Sequence, residues 1–336
     1  MAVIGNAASA IQFIPQIASR VKHVSIFQRS ANWMLPRGDR AYTGREKWWL
    51  THVPVLARLY RWWLWLQLEL RFPLFRGNRL LARAVRGIAE ANIRDHVADP
   101  RLRQALLPDY PIGGKRILIS DDYYQALGRE NVELVTSGID HLTEGGVVTR
   151  DGLTHAVDAV ILATGFQSTA FLAPMRIEGL GGLSLAAEWA DGARAYRGMT
   201  VSGFPNFFMM HGPNTNLGHN SIIFMIECQT RYILRAIRTL VDRDLAYLDL
   251  LKEAMDAYNE RLQTDLARSV WAATGKSWYK TEAGRITNNW SGSTVRYWWT
   301  TRRFDREHYR AQARDERFRK TESPVERDRG AQPAAA

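Results

Sequence analysis

The first thirty residues alternate between short apolar runs and one amphipathic stretch. An apolar run stops at Gly5, and a second run from Val24 to Phe27 ends just before Arg29. Between them, apolar residues recur every three or four positions, which predicts a helix. This order predicts a β-α-β unit in which Gly5 allows a tight turn and the start of the helix faces a phosphate. The apolar helix positions are Ala10, Ile11, Ile14, Ile17, Ala18 and Val21.

The details of this unit favour a dinucleotide site over a simple strand-helix joint. Ala7 and Ala10 are small enough to let a pyrophosphate and the sheet approach the helix backbone. An acidic residue after the second strand would accept a hydrogen bond from the ribose of NAD. This chain has Arg29 there, and its charge suits the 2′-phosphate of NADP. The glycine pattern alone is weak, because Ala7 replaces the second glycine and an ordinary β-α-β joint stays possible.

The stretch from Trp48 to Phe75 is rich in aromatic residues and contains five of the twelve tryptophans. A transmembrane span needs about 18 apolar residues, and Pro54 with several charges interrupts this stretch. A helix lying on a membrane surface stays open as an alternative. We favour a helical insertion packed beside the active site. The predicted apolar stripe contains Val55, Leu59, Trp62, Trp63, Leu66 and Leu70.

Further along the chain, the pattern predicts a mixture of strands and helices. A helix is expected around residues 81–97, followed by a loop at 107–116 that carries Lys115 and Arg116 into a short strand. Short strands are expected at 132–135 and 146–149. The apolar run at 158–163 predicts a buried parallel strand that ends at Thr164-Gly165.

The second half of the chain is predicted to be mainly helical. A strand at 204–210 is expected to lead into a polar loop at 211–221, where Asn220 or Ser221 caps a helix that continues to about residue 240. Another amphipathic helix is expected at 248–266. From residue 311 the chain becomes charged and then rich in Pro and Ala, so 311–336 is predicted to be a disordered tail.

Charge and cysteine content narrow the function classes only slightly. The chain has 336 residues and a net charge of +11, but acidic side chains are spread among the arginines, so a nucleic-acid partner is not favoured. The single cysteine, Cys228, excludes an intrachain disulfide and fits a reducing compartment, and the start lacks a secretory signal pattern, so a cytoplasmic location is expected. The histidines show no spacing that predicts a metal site.

Together, these segments resemble one family, the flavin-containing monooxygenases of the Baeyer–Villiger type, in the branch related to hydroxyacetophenone monooxygenases. The motifs Pro111-x-Gly113-x-Lys115-Arg116 and Gly212-Pro213-Asn214 are the specific ones, whereas the opening turn is not. The similar stretches keep the family's order over most of residues 1–300. They are 3–12, 27–36, 96–127, 158–166 and 203–227, with a looser match at 277–290.

This resemblance implies an α/β fold of two dinucleotide-binding domains. An NADP-binding Rossmann-like domain is expected over 1–163, with a helical insertion at about 44–110. The C-terminal part of an FAD-binding domain with a helical extension is expected over 164–310. The implied chemistry uses NADPH to reduce FAD, and the reduced flavin captures O₂ as a C4a-peroxyflavin. One oxygen atom is then inserted into a small organic substrate, either a ketone or a heteroatom compound.

The family pattern also assigns roles to individual residues. Arg29 and Lys115 resemble the 2′-phosphate clamps. Arg116 resembles the active-site arginine, whose permanent charge would stabilise a negatively charged intermediate. The aromatic insertion would help to exclude water. The other residues expected to contact the cofactors are Gly5, Ser9, Ala10 and Gln12 at the NADP turn, Thr164 and Gly165 at the domain crossing, and Gly212, Asn214, Thr215 and Leu217 beside the flavin ring.

Three departures from the family pattern are visible. Ala7 stands where glycine is usual, and Gly114 stands where cysteine is common. In the family, an N-terminal FAD-binding unit and a fingerprint motif precede the NADP turn, and neither is found in this sequence. Poor binding of FAD by the isolated chain is therefore expected. The interpretation therefore keeps three alternatives: a monooxygenase, a non-catalytic NADP(H)-binding remnant or partner, and a membrane-surface-associated protein.

Overall fold

The computed structural model describes residues 1–275 and 277–314 of the chain. The strands are β1 (Ala2–Ile4), β2 (Val24–Phe27), β3 (Met34–Leu35), β4 (Leu118–Ile119), β5 (Val132–Val135), β6 (Ile139–Thr143), β7 (Gly146–Thr149), β8 (Thr154–Ala156), β9 (Val160–Leu162), β10 (Leu245–Leu250) and β11 (Tyr309–Ala313). The helices are α1 (Ala10–Ala18), α2 (Gly44–His52), α3 (Pro54–Glu69), α4 (Phe72–Phe75), α5 (Arg79–His96), α6 (Pro100–Ala105), α7 (Tyr123–Leu127), α8 (Leu185–Glu188), α9 (Ile222–Asp242), α10 (Lys252–Leu266), α11 (Val270–Ala273) and α12 (Thr294–Thr301), with short 3-10 turns at Leu180–Gly182 and Arg306–His308.

A four-stranded parallel sheet in the order β5-β2-β1-β9 forms the centre of the N-terminal half. The β1 and β2 strands are buried because helices cover them, as parallel sheets require. Helix α1 packs Ala10, Ile11 and Ile14 against Val3 and Ile26 of the sheet. The predicted β-α-β unit and the α/β fold class are therefore confirmed, although α1 ends at Ala18, before the predicted Val21.

Helices α2 to α6 interrupt the sheet domain between the paired short strands β3 and β4. They lie inside the predicted insertion range of 44–110. The part of this insertion from α4 onward joins the core: Leu74, Phe75 and Ala89 are buried, while α2 and α3 contain no buried residue.

The C-terminal half is organised around the long helix α9. Its buried face places Tyr232, Ile233 and Ala236 against Leu248 and Leu250 of β10 in one core cluster. Helix α12 packs on the same helix. A neighbouring cluster joins the insertion to this half, because it contains Phe75, Trp33, Met225, Leu262, Trp271 and Tyr297.

Three predictions made from the sequence pattern are wrong in detail. Residues 204–210 form no strand, because Asn206 has a φ of 56° and its backbone and side chain both bond to Leu248. Leu248 belongs to β10, not to the start of a helix, and α10 begins at Lys252. The predicted tail at 311–336 starts too early, because Ala311 to Ala313 pair with β10. Its remainder from 315 lies outside the described residues.

Candidate active site

The carboxyl ends of β1 and β9 lie side by side and form the edge of a crevice. The chain leaves β1 for β2 on one side and returns through β9 on the other, which is the arrangement that places a ligand crevice at this edge. The Ala163 N–H donates to the Ile4 carbonyl at 2.9 Å, so Gly5 lies against Ala163. Thr164 and Gly165 follow directly and are exposed at the same edge.

The start of α1 presents unpaired backbone donors at this crevice. The N–H groups of Ala7, Ala8 and Ser9 donate no hydrogen bond to any residue that the structure describes. Ser9 does not cap the helix with its side chain, and the first turn carries no acidic residue. Free N–H groups and a positive helix end together favour an anion at this position.

Two residues of α1 that were predicted to contact the cofactor, Ala10 and Gln12, do not point their side chains into the crevice. Ala10 is completely buried against the sheet, so its contribution is close packing of the helix and not a side-chain contact. The Gln12 amide donates to the Ala8 carbonyl at 2.6 Å and is exposed.

Arg29 and Lys115 converge although 86 positions separate them in the chain. The Lys115 ammonium lies 3.4 Å from the Ser30 hydroxyl and 4.3 Å from the centre of the Tyr110 ring. Burial lowers the pKa of Lys115, Asp109 raises it, and the positive charge of Arg29 lowers it again. Neither cation forms an ion pair within the described residues, and the negative charge of Asp109 acts on Lys115 only through space.

An amide network fixes the edge of the crevice, and the sequence pattern did not reveal it. The Asn6 side chain donates to the Gln28 side-chain oxygen at 2.6 Å, and Gln28 donates to the Ala105 carbonyl at 2.7 Å. Asn32 donates to both oxygens of Asn6. Asn6 and Gln28 lie within two residues of the ends of β1 and β2. Amide side chains at these two strand ends were the sequence signal from which the network could have been predicted.

Arg116 is exposed one residue after Lys115 and has no side-chain hydrogen bond to the described residues. Its charge acts on buried Tyr279, whose pKa is raised well above its usual value by burial, with Arg116 opposing that effect. The preceding glycines are tightly packed: a β-carbon at Gly114 would lie 2.0 Å from the Thr274 hydroxyl oxygen. The loop that presents Arg116 is therefore held against the C-terminal half.

The polar loop at 211–221 is held by hydrogen bonds from its buried side chains. Asn214 has a φ of 56°, is buried, and donates through its side chain to the carbonyls of Ile286 and Asn289 at 2.8 and 3.0 Å. Thr215 is fully buried and donates to the Gly212 carbonyl at 2.6 Å. Three side-chain polar atoms of this loop, Oδ1 of Asn214 and both ring nitrogens of His219, are buried without a hydrogen-bond partner among the described residues.

Phe75 connects the two predicted active-site loops. A β-carbon at Gly113 would lie 3.3 Å from the Phe75 ring, and one at Gly218 would lie 2.4 Å from it. The ring also packs 5.5 Å from Trp271 and 6.0 Å from His219, centre to centre. Leu217 and Ile117 pack on the same core cluster. The Arg116 loop and the 211–221 loop are therefore joined through one buried aromatic ring.

Glu69 is a second connection that the sequence pattern did not indicate. Its carboxylate accepts from the backbone N–H and hydroxyl of Thr294, at 2.9 and 2.6 Å, and from the Asn220 amide at 2.7 Å. His219 Nε2 lies 3.4 Å away. Burial alone would raise the pKa of Glu69, but the contacts with His219, Thr294 and Asn220 together lower it to about 2. This mostly buried acid joins α3 to the 211–221 loop and to α12.

The expectation that the whole aromatic stripe packs beside the active site is wrong. Leu59, Trp62 and Trp63 are each more than half exposed. Trp65 does pack inward, because its N–H donates to the Thr294 hydroxyl at 3.0 Å and its ring meets Phe224. Within residues 1–275 and 277–314, no helix has the length and apolar content to cross a membrane. No metal-binding group of three or more side chains is found there either.

Comparisons with known proteins show what the chain is similar to. No protein-family profile matches the chain. An FAD-binding monooxygenase of Aspergillus niger is 42% identical over 308 residues, which cover 88% of this chain and 50% of the relative. A Baeyer–Villiger monooxygenase of Pseudomonas aeruginosa is 40% identical over 92% of this chain and 59% of the relative. The chain thus spans about half to three-fifths of the length of these curated relatives.

Solved structures show the same fold. An oxidised steroid monooxygenase bound to NADP superposes with a TM-score of 0.79 at 27% identity, over 93% of this chain and 66% of that one. A closed cyclohexanone monooxygenase has a TM-score of 0.78 at 21% identity. The chain therefore has the fold of the class of flavoproteins with two dinucleotide-binding domains. Within that class, the chain belongs to the flavin-containing monooxygenases of the Baeyer–Villiger type.

Proposed function

We propose that the protein is an NADPH- and FAD-dependent monooxygenase that transfers one oxygen atom of O₂ to a small organic substrate. The proposed reaction is either the conversion of a ketone to an ester or the oxidation of a heteroatom. The observation that carries this proposal is the convergence of Arg29 and Lys115 beside the crevice at Gly5. Two cations at the end of β2 suit the additional phosphate that distinguishes NADP from NAD.

The residues of the crevice fit NADP. Gly5 lets the chain turn directly against Ala163, and the free N–H groups at the start of α1 suit a pyrophosphate. Ser9 and Gln12 lie on the first turns of α1, while Thr164 and Gly165 line the opposite strand end. We propose that residues 1–163 form the NADP-binding domain, with the helical insertion at about 44–110.

The 211–221 loop fits one edge of a flavin. Its backbone is fixed by Asn214 and Thr215, and Asn214 Oδ1 is a buried acceptor without a described partner. We propose that Gly212, Asn214, Thr215 and Leu217 hold the flavin ring and that 164–310 form part of the FAD-binding domain. When bound, FAD would supply the redox and oxygen chemistry, and the protein would orient it.

Arg116 is the proposed catalytic residue. Its guanidinium is exposed at the end of a tightly packed loop and remains charged at every relevant pH. A fixed positive charge stabilises negative charge that develops on oxygen atoms during the reaction. The aromatic core around Phe75 and Trp271 holds this loop in place and limits the entry of water on that side.

Purification with added FAD followed by oxygen-electrode measurements tests the proposal. The expected result is bound flavin and NADPH-dependent O₂ uptake that a panel of ketones and thioethers stimulates, with one oxygen atom gained by the product. A colourless protein that binds NADPH but consumes no O₂ would contradict it. That outcome would favour the non-catalytic NADP(H)-binding alternative. We also propose a cytoplasmic location, because a chain with a single cysteine fits a reducing compartment.

A further inference from the structure

A second basic site lies in the C-terminal half, where α9 and α12 both end. It is a cleft of about 660 Å³, and no residue of the candidate active site lines it. Five of its seven lining residues are arginines. The lining residues are Arg235, Thr239, Arg243, Arg302, Arg303, Phe304 and Arg306.

The charge in this cleft exceeds what the two helix ends can neutralise. Each helix C-terminus carries about half a negative charge, so the ends of α9 and α12 together account for about one of the five positive charges. Within residues 1–275 and 277–314, none of the five guanidinium groups forms an ion pair with a carboxylate. A capping role for the arginines therefore explains only part of the cluster.

The acidic residue inside the arginine-rich segment is turned away from the cleft. Asp305 forms an ion pair with buried Arg197, accepts from the Tyr196 hydroxyl at 2.6 Å, and lies 3.6 Å from His308. Its carboxylate is only 14% exposed. Asp242 and Glu307 are neighbours in the sequence, but neither lines the cleft. The fold thus engages the Asp305 carboxylate with other partners, and no carboxylate lines the cleft within the described residues.

One arginine of the cleft is held in position before any ligand arrives. The Arg302 guanidinium lies 3.3 Å from the centre of the Trp299 ring and 6.0 Å from that of Trp298. Stacking on an indole reduces the freedom of the side chain and leaves its N–H edges available for hydrogen bonds. Such a guanidinium loses less entropy when it binds an anion.

We propose that this cleft binds a ligand that carries two or more adjacent phosphate groups. Guanidinium groups bind phosphate through paired hydrogen bonds, and one phosphate dianion cannot match five positive charges. The volume lies within the range of about 300 to 1,000 Å³ that is usual for small-molecule sites. Two sources carry this chemistry: a soluble polyphosphate or nucleotide, and a lipid with a polyphosphorylated headgroup. The proposal does not depend on the proposed monooxygenase activity.

Calorimetric titration of the full 336-residue chain with inorganic tripolyphosphate tests the soluble source. All titrations use a chain with Arg29→Gln and Lys115→Gln, so that the proposed NADP site does not contribute. Tripolyphosphate is expected to bind about tenfold or more tightly than orthophosphate. The triple variant Arg235→Gln, Arg303→Gln and Arg306→Gln is expected to weaken that binding by about tenfold or more.

The matched control removes three exposed arginines elsewhere, Arg20, Arg45 and Arg101, and thus the same net charge. It is expected to leave tripolyphosphate binding unchanged. Co-sedimentation with neutral vesicles, with and without a bisphosphorylated inositol lipid, tests the membrane source with the same two variants. Thermal melting confirms that both variants are folded. The proposal is overturned if neither probe binds, or if the cleft variant and the control variant bind each probe equally.

Discussion

Gly5 and Ala163 are in direct backbone contact at the ends of β1 and β9, two neighbouring strands of the parallel sheet. A β-carbon at position 5 would lie 2.4 Å from the Ala163 carbonyl oxygen, and the φ of Gly5 is 111°. The glycine is therefore required twice, once by its dihedral angle and once by the neighbouring strand. This contact brings the end of β9 to the proposed NADP crevice.

Replacing Gly5 by alanine is expected to destabilise the protein by about 2 to 4 kcal/mol, because backbone atoms of Ala163 cannot move aside as a side chain could. Urea denaturation measures the change. Gly152→Ala is the matched control: its φ is 84°, but no atom lies within 4 Å of the added carbon. The control should cost only about 1 kcal/mol. Equal losses in both variants would refute the steric argument.

Arg29 and Lys115 are expected to select a 2′-phosphate. The Arg29→Gln and Lys115→Gln variants should each bind 2′,5′-ADP about 10 to 100 times more weakly, because a charge-assisted hydrogen bond is lost. Binding of 5′-ADP should change little. Fluorescence or calorimetric titration with both nucleotides checks this, and Arg20→Gln at the far end of α1 serves as a control. Parallel losses for both nucleotides would place the cations at another part of the ligand.

Glu69 is expected to make stability depend on pH. Its pKa is about 2 in the folded protein against an ordinary value of 4.5, so its stabilising effect is full above pH 4.5 and is lost as the pH falls towards 2. The Glu69→Gln variant should be about 3 kcal/mol less stable at pH 7 and should lack this part of the acid dependence. Urea denaturation at a series of pH values measures both effects.

A control for Glu69 is available on α5. The Glu90 carboxylate pairs with Arg86 at 2.7 Å on a partly exposed helix face, so Glu90→Gln is expected to cost about 0.5 kcal/mol or less at every pH. If Glu69→Gln and the parent chain lost stability equally between pH 5 and pH 2, the Glu69 carboxylate would not be the cause.

Phe75→Ala is expected to cost about 3 to 5 kcal/mol, because it opens a cavity between the Arg116 loop, the 211–221 loop and Trp271. Phe166→Ala is the control, since the Phe166 side chain is 94% exposed, and it should change stability by about 0.5 kcal/mol or less. Thermal and urea unfolding compare the two. A mild effect of Phe75→Ala would mean that the two loops are held by other contacts.

Arg116→Ala is expected to separate binding from chemistry. Arg116 is exposed and lacks a described side-chain hydrogen bond, so melting temperature and 2′,5′-ADP affinity should remain close to those of the parent. Product formation should fall by about 100-fold or more, as for the loss of an oxyanion-stabilising group. Arg116→Lys should recover only part of the activity, because lysine lacks the planar fork. Normal product formation by Arg116→Ala would exclude the proposed role.

Local patterns were sufficient to predict the parts of the fold that depend on near neighbours. The β1-α1-β2 unit follows from short apolar runs and a helical period. The apolar run at 158–163 correctly predicts a parallel strand that ends before Thr164-Gly165, but the prediction that this strand is buried is wrong, because Val160 and Leu162 of β9 are exposed. The placement of Lys115 beside Arg29 came from a family resemblance, since nothing in the local sequence brings these residues together. Their roles in binding remain predictions.

The remaining features could not be predicted because they depend on distant partners. Leu248 to Leu250 form a strand only because Tyr309 to Ala311 pair with them, and taken alone their spacing also suits a helix. The apolar stripe of α3 correctly predicts a helix, but the pattern alone does not show which of its side chains pack against the rest of the protein. The inward contacts of Trp65 and Glu69 depend on Thr294, far along the chain.

The contact between Glu69 and Thr294 has a consequence for the order of folding. It joins positions 225 residues apart, so the loss of chain entropy on closing that loop precedes any gain from its hydrogen bonds. The contact is therefore expected to form late, after the sheet and α9 have folded. Native-state hydrogen exchange should then show α3 and the start of α12 opening together, at a lower free energy than β1 and β2. In this respect, α3 is expected to behave as a separate cooperative unit that the Glu69 carboxylate and Trp65 join to the rest of the protein.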